Sequence, residues 1–333
     1  MTPGITPFGK TPTGDTVQRI TISNGVLSAS ILTLGVILQD VRLAGVSHSL
    51  TIGSPDLSAY LGPMNSCGAI VGPVANRIGG AAAVIDGKTC HFDPNQDGKH
   101  TLHGGAGATH TQIWTLADHS KTHAEFHLHL PDAAHGFPGN RSLTARYDIH
   151  DATLRLTLTA TTDATTLLNL ANHSYWRLDD AATFAGQTLQ IAADQYLPTT
   201  PDNLPTGKIV PLDSTRFDFR QPRNLTAGTE GLIDHNFCLS QTRQPLRPIA
   251  WLRGTSGLCM EMASTEPGLQ VFDGHNLNMP DYASNDGPPH QPYAGLALEA
   301  QFWPDASNNA DFPNIILRAG QPWQQITSWM FSQ

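Results

Sequence analysis

Short segments in which apolar and polar residues alternate make up most of this chain, and turn-forming residues separate them. Strand-like spacing is clear at residues 17–22, 26–34, 36–43, 154–159 and 189–191. Thirty glycines and 24 prolines interrupt these segments, and no long segment has the 3.6-residue period of an amphipathic helix. The pattern predicts an all-β, antiparallel fold, either a sandwich or a barrel.

The composition indicates one folded, acidic unit. Of the 333 residues, 39% are apolar and 14% are charged, so a sizeable core can form and disorder is not expected. The proline-rich stretch 280–292 is typical of a surface loop rather than a linker, and we therefore expect a single domain over residues 1–333. The formal net charge of −9 repels phosphate backbones and disfavours a nucleic acid as partner.

The N-terminal segment and the cysteines bear on cellular location. The first ten residues lack a basic segment followed by an apolar one, so no signal peptide is visible. No run approaches the ~18 apolar residues of a membrane span. The four cysteines are scattered without a CxxC motif, which favours free thiols. We expect a cytoplasmic protein with no membrane partner.

A group of four histidines at positions 119, 123, 127 and 129 is the feature most suggestive of a metal. In strand register Ala124, Phe126, Leu128 and Leu130 point one way, and the histidines from position 123 onward point the other. This alternation is typical of a half-buried strand with one wet face. A zinc site needs three or four converging ligands, so we predict no metal here.

Two segments place polar residues beside apolar runs or glycines. An apolar strand leads directly into Asn76 and Arg77, and His103 stands immediately before a pair of glycines. Glycines permit a close backbone approach to a ligand. Taken singly, Arg77 is equally consistent with a surface charge, and His103 with a histidine satisfied in the core.

Three further segments are more informative. An apolar strand ends in Asn172-His173-Ser174-Tyr175-Trp176, and a histidine is the natural proton carrier near neutral pH. Glu299 lies inside the apolar strand 294–300, where an unpaired carboxylate is costly unless it has a function. Asp234 is the first residue of another strand-like segment. It is consistent either with the end of a turn or with a carboxylate that accepts hydrogen bonds from two sugar hydroxyls. Gln270 places an amide on a neighbouring strand.

Six short motifs, taken together and in order, resemble those of the aldose 1-epimerase family, also called galactose mutarotases. They span nearly the whole chain and are Gly72-x-x-Ala-Asn76-Arg77-Ile, Leu102-His103-Gly-Gly, Asn172-His173-Ser-Tyr, Asp234-His-Asn-Phe, Thr265-Glu-Pro-Gly-Leu-Gln270-Val and Leu298-Glu299-x-Gln-x-x-Pro-Asp305. The chain departs from the family's common residues at Pro73, Trp176 and Phe302-Trp303. These positions lie beside the candidate site and bear on which sugar is preferred.

The resemblance implies a large antiparallel β-sandwich, a supersandwich, that binds a monosaccharide in an open cleft. It implies Glu299 as general base and His173 as general acid. Ring opening removes the C1 hydroxyl proton and protonates the ring oxygen, so we expect the two groups on opposite sides of the sugar ring. Asn76, Arg77, His103, Asp234 and Gln270 would bind or orient the sugar. No metal or organic cofactor is implied, and both a monomer and a homodimer are compatible with it.

The expected reaction is the interconversion of the α and β anomers of a free hexose such as glucose or galactose. Trp176 or Trp303 is a candidate for stacking on the sugar. The alternatives are an epimerase acting on a ketose or a hexose phosphate, a glycoside hydrolase using Asp234 and Glu299, and a non-catalytic carbohydrate-binding protein.

Overall fold

The computed structural model describes residues 1–229 and 231–333, and β-strands dominate the described chain. Its only α-helix there is a single turn, α1 (Leu57–Tyr60), and short 3₁₀ turns occur at Gly79–Ala81, Gly105–Gly107, Thr109–Thr111, Ala134–Gly136 and Ala306–Asn308. The strands in chain order are β1 (Gly4–Lys10), β2 (Thr16–Ser23), β3 (Leu27–Leu32), β4 (Leu38–Leu43), β5 (Ile70–Val71), β6 (Arg77–Ile78), β7 (Ala82–Ile85), β8 (Lys88–His91), β9 (Thr101–Leu102), β10 (Thr115–His119), β11 (His123–Leu130), β12 (Arg141–His150), β13 (Thr153–Thr162), β14 (Thr166–Leu167), β15 (Ala171–Asn172), β16 (Tyr175–Trp176), β17 (Thr188–Ile191), β18 (Gln195–Leu197), β19 (Val210–Pro211), β20 (Arg223–Asn224), β21 (Asp234–Cys238), β22 (Arg247–Arg253), β23 (Cys259–Ser264), β24 (Gly268–Phe272), β25 (Leu296–Gln301), β26 (Ile316–Leu317) and β27 (Trp323–Ser332).

Three larger sheets carry the architecture, and their strand pairs are antiparallel. The largest has nine strands in the order β10-β11-β12-β13-β27-β23-β22-β17-β20. The second has six strands in the order β16-β25-β24-β21-β18-β19, and the third is β1-β2-β3-β4. Two-stranded sheets pair β14 with β26, β15 with β5, β6 with β9 and β7 with β8. The prediction of an all-β, antiparallel sandwich is confirmed.

The main hydrophobic core joins the three larger sheets and leaves one face of the six-stranded sheet free for polar residues. Leu296, Leu298 and Ala300 of β25 belong to this core, together with residues of the nine-stranded sheet such as Met262 and Trp329. Because side chains alternate along a strand, the residues between them on β25 point to the other face. That face carries Glu299, and the same alternation places Gln270 on it from β24 and Asp234 from β21.

The predicted strands are confirmed, with one difference at the second and third. The segments 26–34 and 36–43 were predicted as two strands with only Gly35 between them, but β3 ends at Leu32 and β4 begins at Leu38. Gly35 and Val36 between them have positive φ angles, and the Gly35 N–H donates to the Gln112 carbonyl at 2.9 Å. Packing against a distant segment therefore forms a turn that the local alternation does not reveal.

The histidine-rich segment is a half-buried strand, as its alternation predicts. Ala124 and Phe126 of β11 are buried, whereas His127 and His129 are exposed. His127 contacts Glu125 at 2.9 Å along the same wet face. Within residues 1–229 and 231–333, no group of three or more His, Cys, Asp or Glu side chains is arranged to hold a metal ion.

The state of the cysteines and the length of the helices bear on the predicted cellular location. None of the cysteines at positions 67, 90, 238 and 259 forms a disulfide bond. Helices in the described part of the chain are all too short or too polar to cross a membrane.

A buried ion pair fixes the chain just beyond the end of β25. Glu266 is 0% exposed, and Arg243 donates to its two carboxylate oxygens at 2.6 and 3.0 Å. The Arg243 guanidinium also lies over the rings of Phe302 and Trp323, at 5.0 and 4.6 Å from their centroids. Phe302 directly follows β25, so this pair anchors the strand that carries Glu299.

Replacing Arg243 with Met is expected to lower the free energy of unfolding by ~3 kcal/mol. Removing one partner leaves the other charge buried, which typically costs ~3–5 kcal/mol, and partial exposure of Arg243 places the effect at the low end. Urea unfolding measures it. The double variant Arg243→Met/Glu266→Gln should be more stable than Arg243→Met alone. A single variant as stable as the wild type would show that the pair contributes nothing.

Candidate active site

Glu299 lies on the polar face of the six-stranded sheet, on the strand next to its edge strand β16. It lies on β25 opposite Gln270 of β24, and it is only 2% exposed. Burial raises the pKa of its carboxyl well above the usual range, the charge of Asp234 adds to this, and Arg77 opposes it. Oε2 has no hydrogen-bond partner among the described residues. The unpartnered oxygen and the raised pKa make this carboxyl a candidate for proton exchange with a ligand.

His173 lies between the two short strands β15 and β16 and is held by its own backbone. Its N–H donates to the Ala69 carbonyl at 2.9 Å, and its carbonyl accepts from Gly68 N–H at 2.9 Å. The ring stacks on Tyr175 with a centroid distance of 5.2 Å. Burial lowers the pKa of the imidazole to about 4, and the nearby His110 acts in the same direction. The backbone bonds and the stacking fix where the imidazole points.

The imidazole and the carboxyl are direct neighbours rather than partners across a ring. His173 Nε2 lies 3.6 Å from Glu299 Oε1, and His173 is 6% exposed. This spacing leaves no room for a pyranose between the two atoms, so the expectation that they flank the ring from opposite sides is wrong. The pair instead presents two proton-exchanging atoms side by side at one end of a cleft.

His103 contributes a hydrogen-bond donor whose tautomer is set by the backbone. The Asn76 N–H donates to His103 Nδ1 at 3.1 Å, so the neutral ring carries its proton on Nε2. His103 N–H donates back to the Asn76 carbonyl at 2.9 Å. Burial lowers the pKa of His103 well below its usual value, which keeps the ring neutral. Its ring lies edge-on to His173, with the centroids 5.3 Å apart.

Arg77 brings a positive charge to the same cleft. Its side chain donates to Asn76 Oδ1 at 3.2 Å and to Gln96 Oε1 at 2.8 Å. Burial lowers the pKa of the guanidinium, and the charges of Asp234 and Glu299 oppose the shift. These two hydrogen bonds to side-chain amide oxygens fix the orientation of the guanidinium group.

Asp234 and Gln270 act as a connected pair. Gln270 Nε2 donates to Asp234 Oδ1 at 2.5 Å. Burial raises the pKa of the Asp234 carboxyl, while Arg77 and the Gln270 bond oppose the rise. Gln270 lines a small adjoining cavity with Asn76 and Asn203, whereas Asp234 faces the main cleft. Gln270 thus orients the carboxylate.

A single cleft of ≈ 370 Å³ brings together most of the residues that the motifs single out. The predicted residues on its wall are Asn76, Arg77, His103, His173, Asp234 and Glu299, whereas Gln270 contacts it through Asp234. Donors, acceptors and a proton-exchanging pair therefore converge on one space large enough for a small polyhydroxylated molecule.

The two tryptophans proposed to stack on a sugar do not reach the cleft. Trp176 is 0% exposed and packs on Trp329, with ring centroids 5.2 Å apart. Trp303 is 1% exposed, and its indole N–H donates to the Pro267 carbonyl at 2.9 Å. The stacking prediction is wrong because alternation along β16 sends Trp176 to the core and Tyr175 to the cleft.

Several cleft residues have little signal in the sequence. Tyr175 and Phe272 supply its aromatic surface, and His110 lies behind His103 with ring centroids 6.4 Å apart. The loop 275–279 forms part of its mouth. Tyr175 shares the register of His173 and was accessible to sequence reasoning, but His110 and the loop belong to no pattern that points to a site.

The fold is an all-β sandwich, and its cleft combines a carboxyl, an imidazole and several hydrogen-bonding groups that suit a hydroxyl-rich ligand. Comparisons with known proteins agree. The family model described as aldose 1-epimerase matches residues 18–329. The chain is 32% identical to galactose mutarotase of Mus musculus over 337 residues, which covers 98% of each protein. It is also 32% identical to maltose epimerase of Levilactobacillus brevis, with 91% of each covered.

A solved structure shows the same fold. The GalM/aldose epimerase homologue from C. elegans superposes with a TM-score of 0.88 at 26% sequence identity and covers 95% of this chain and 98% of its own. The chain belongs to the aldose 1-epimerase family and is an isomerase.

Proposed function

We propose that this protein interconverts the α and β anomers of a free hexose, with Glu299 as general base and His173 as general acid. The observation that carries the proposal is the 3.6 Å separation of Glu299 Oε1 and His173 Nε2 at the floor of the cleft. The anomeric hydroxyl and the ring oxygen of a pyranose are bonded to the same carbon. Two adjacent proton-exchanging atoms therefore match the two oxygens that must exchange protons.

The reaction proceeds by opening and reclosing the ring. Glu299 takes the proton of the C1 hydroxyl, the C1–O5 bond breaks with its electrons moving to O5, and His173 delivers a proton to O5. The resulting aldehyde rotates about C1–C2, and the steps run backwards on either face of the carbonyl. Each positioned group typically contributes ~10²–10⁴-fold. The step changes no oxidation state and transfers no group to another molecule, so acid–base groups are sufficient for the chemistry.

Burial of the pair favours the ring-opening step. Ring opening uses the form of the pair in which Glu299 is a carboxylate and His173 an imidazolium, and it leaves a neutral carboxylic acid and a neutral imidazole. In the free enzyme the shifted pKa values place the single proton on Glu299, so the ionic form is the less populated one. A dry environment disfavours the charged forms, which is why the pKa of Glu299 is raised and that of His173 is lowered. The two shifts lower the free energy of the state that follows proton transfer.

The remaining predicted residues have positioning roles in this proposal. His103 offers its Nε2–H, and Arg77 offers its free guanidinium donors, to oxygens of the bound sugar. Asp234, oriented by Gln270, accepts hydroxyl hydrogens. Asn76 holds both His103 and Arg77 in place through its backbone N–H and side-chain oxygen.

The cleft disfavours a hexose phosphate as the substrate. Among the described residues on its wall, the only permanent cation is Arg77, and no lysine is present. Phosphate sites usually supply several charge-assisted donors. A ketose remains an alternative substrate, and a carbohydrate-binding protein would need no acid–base pair. We also propose that residues 1–333 form a single domain. The main hydrophobic core supports this, because it contains residues from Ile20 to Phe331.

Polarimetry of freshly dissolved sugars tests the proposal. Catalytic amounts of the protein should accelerate the change in rotation of pure α-D-glucose or α-D-galactose toward the same final value that the sugar reaches alone. A protein that binds sugar but leaves the rate at its uncatalysed value would support the carbohydrate-binding alternative.

The pH dependence of kcat/KM is expected to have no acid limb where an ordinary histidine titrates. The active pair holds one proton, and a second proton binds only near the lowered pKa of His173, about 4. As the pH is lowered, activity should therefore show no loss with a midpoint near 6.5 and should fall only as the pH approaches 4, because kcat/KM reports the free enzyme. The alkaline fall follows loss of the last proton, governed by the raised pKa of Glu299. An acid limb with a midpoint near 6.5 would contradict the assignment.

A further inference from the structure

A second imidazole–carboxylate pair lies at the cleft, and the proposed reaction does not use it. His275 is partly exposed on the cleft wall, and its Nδ1 lies 2.7 Å from Oδ1 of Asp273, which is 3% exposed. A carboxylate only accepts hydrogen bonds, so Nδ1 carries a proton and donates it to Asp273. The other nitrogen of the neutral ring, Nε2, is then an acceptor. Within residues 1–229 and 231–333, Nε2 makes no hydrogen bond.

The carboxylate of this pair is fixed by backbone groups. Asp273 Oδ2 accepts from the Ile233 N–H at 2.9 Å, and the Asp273 N–H donates to the Ile233 carbonyl at 3.0 Å. Asp273 Oδ1 also accepts from the His275 N–H at 3.1 Å. Between them Gly274 has a φ of 64°, and a Cβ there would lie 2.8 Å from the Leu277 side chain. A tight turn that requires glycine therefore holds His275 against the carboxylate.

The register of the six-stranded sheet places His275 beyond Phe272, on the side away from the reacting pair. Gln270 of β24 is paired with Glu299. Two residues further along β24, Phe272 is paired with Asp234, and the ring of His275 lies edge-on to that of Phe272 with centroids 5.2 Å apart. Burial raises the pKa of the Asp234 carboxyl, and a charge on His275 opposes the rise. His275 and Asp234 are therefore within electrostatic range of each other.

The proposed orientation of the sugar directs its far edge toward this part of the cleft. In a pyranose the ring atoms opposite C1 and O5 are C4 and C3. With C1 and O5 at Glu299 and His173, the hydroxyls on C3 and C4 extend toward Asp234 and His275. Asp234 and Glu299 lie on strands separated by β24, about 10 Å apart at the usual strand spacing, which accommodates one sugar ring. A carboxylate and a neutral imidazole, both acceptors, thus face two hydroxyls that each have a hydrogen to donate.

We propose that His275, oriented by Asp273, accepts a hydrogen bond from the hydroxyl on C3 or C4 of the bound sugar and so contributes to the choice among hexoses. The inference rests on the proposed function, because that function fixes which end of the ring lies at Glu299. It deepens that function by assigning a binding role to a histidine that none of the six motifs contains. His275 takes no part in the proton transfers, so its loss should raise KM and leave kcat unchanged.

A double-mutant cycle between the enzyme and deoxy sugars tests this assignment. Polarimetry gives KM and kcat, and titration calorimetry gives Kd. The variant His275→Ala should bind glucose about fivefold more weakly than the wild type, the loss of one hydrogen bond, with kcat within about twofold. With either 3-deoxyglucose or 4-deoxyglucose, whichever lacks the contacted hydroxyl, the substitution should change the affinity less than about twofold. With 6-deoxyglucose, which keeps both hydroxyls, the full loss should remain.

The matched control is His150→Ala, which removes an exposed histidine of β12 outside the cleft and should leave every sugar unaffected. In His275→Ala, Asp273 keeps both backbone N–H donors, so the turn should persist, and a retained kcat shows that the variant is folded.

Three results would overturn the inference: a loss of affinity that is equal for all four sugars, no loss for any of them, or a fall in kcat without a change in affinity. A loss that disappears only with 6-deoxyglucose would also overturn it, because His275 would then contact the hydroxymethyl group. A wild type that binds glucose without accelerating its mutarotation would instead overturn the proposed function, and the calorimetric affinities would still decide the role of His275.

Discussion

Replacing Glu299 with Gln is expected to lower kcat by ~10²–10⁴-fold, because an amide of the same shape donates and accepts hydrogen bonds but does not take up a proton. Sugar binding should survive. The carboxyl is buried beside a histidine whose pKa is lowered, and a neutral amide fits this environment without burying a charge. Polarimetry measures the rate, and titration calorimetry with the same sugar measures the affinity.

The control for this substitution is Glu261→Gln. Glu261 lies on β23 of the nine-stranded sheet, away from the cleft, where it accepts a hydrogen bond from the Trp251 indole at 2.9 Å. It should retain wild-type activity. Full activity in Glu299→Gln would remove the general base from the account, and loss of binding together with activity would assign Glu299 to substrate recognition instead.

His173→Gln is expected to lower kcat by a similar ~10²–10⁴-fold, since glutamine reaches the position of Nε2 but does not deliver a proton to the ring oxygen. Residual activity should no longer show the acid limb near pH 4 that the wild-type imidazole produces. The double variant Glu299→Gln/His173→Gln should lose little more than either single variant, because the two groups act as a unit.

His129→Gln provides the matched control, since His129 is exposed on β11 outside the cleft. Its rate and pH profile should equal those of the wild type. Losses that multiply in the double variant would show that Glu299 and His173 act independently, and an unchanged acid limb in His173→Gln would assign that titration to another group.

The sequence predicted the fold and most of the cleft because the alternation of apolar and polar residues along a strand is visible in the local sequence. Leu296, Leu298 and Ala300 alternate with Glu299, and this pattern alone puts the carboxyl on the face away from the core. The order of the motifs then identified residues from distant strands that the structure brings together. Antiparallel pairing of β24 with β25 accounts for the proximity of Gln270 to Glu299.

The distances between strands and the packing of loops could not be predicted from the sequence. Nothing in the spacing of residues 173 and 299 indicated that their side chains lie side by side. Trp176 was one of two candidates for stacking on the sugar, although its strand register sends it to the core against Trp329. Loop 275–279 lies at the cleft because the Met279 N–H donates to the carbonyl of the distant residue His290, which is a tertiary contact.

A crystal structure of the Glu299→Gln variant with bound galactose tests the central claim most directly. The account predicts the C1 hydroxyl within about 2.6–3.2 Å of the residue-299 amide and the ring oxygen within the same distance of His173 Nε2. A sugar bound with C1 turned away from both side chains, toward the mouth of the cleft, would contradict it.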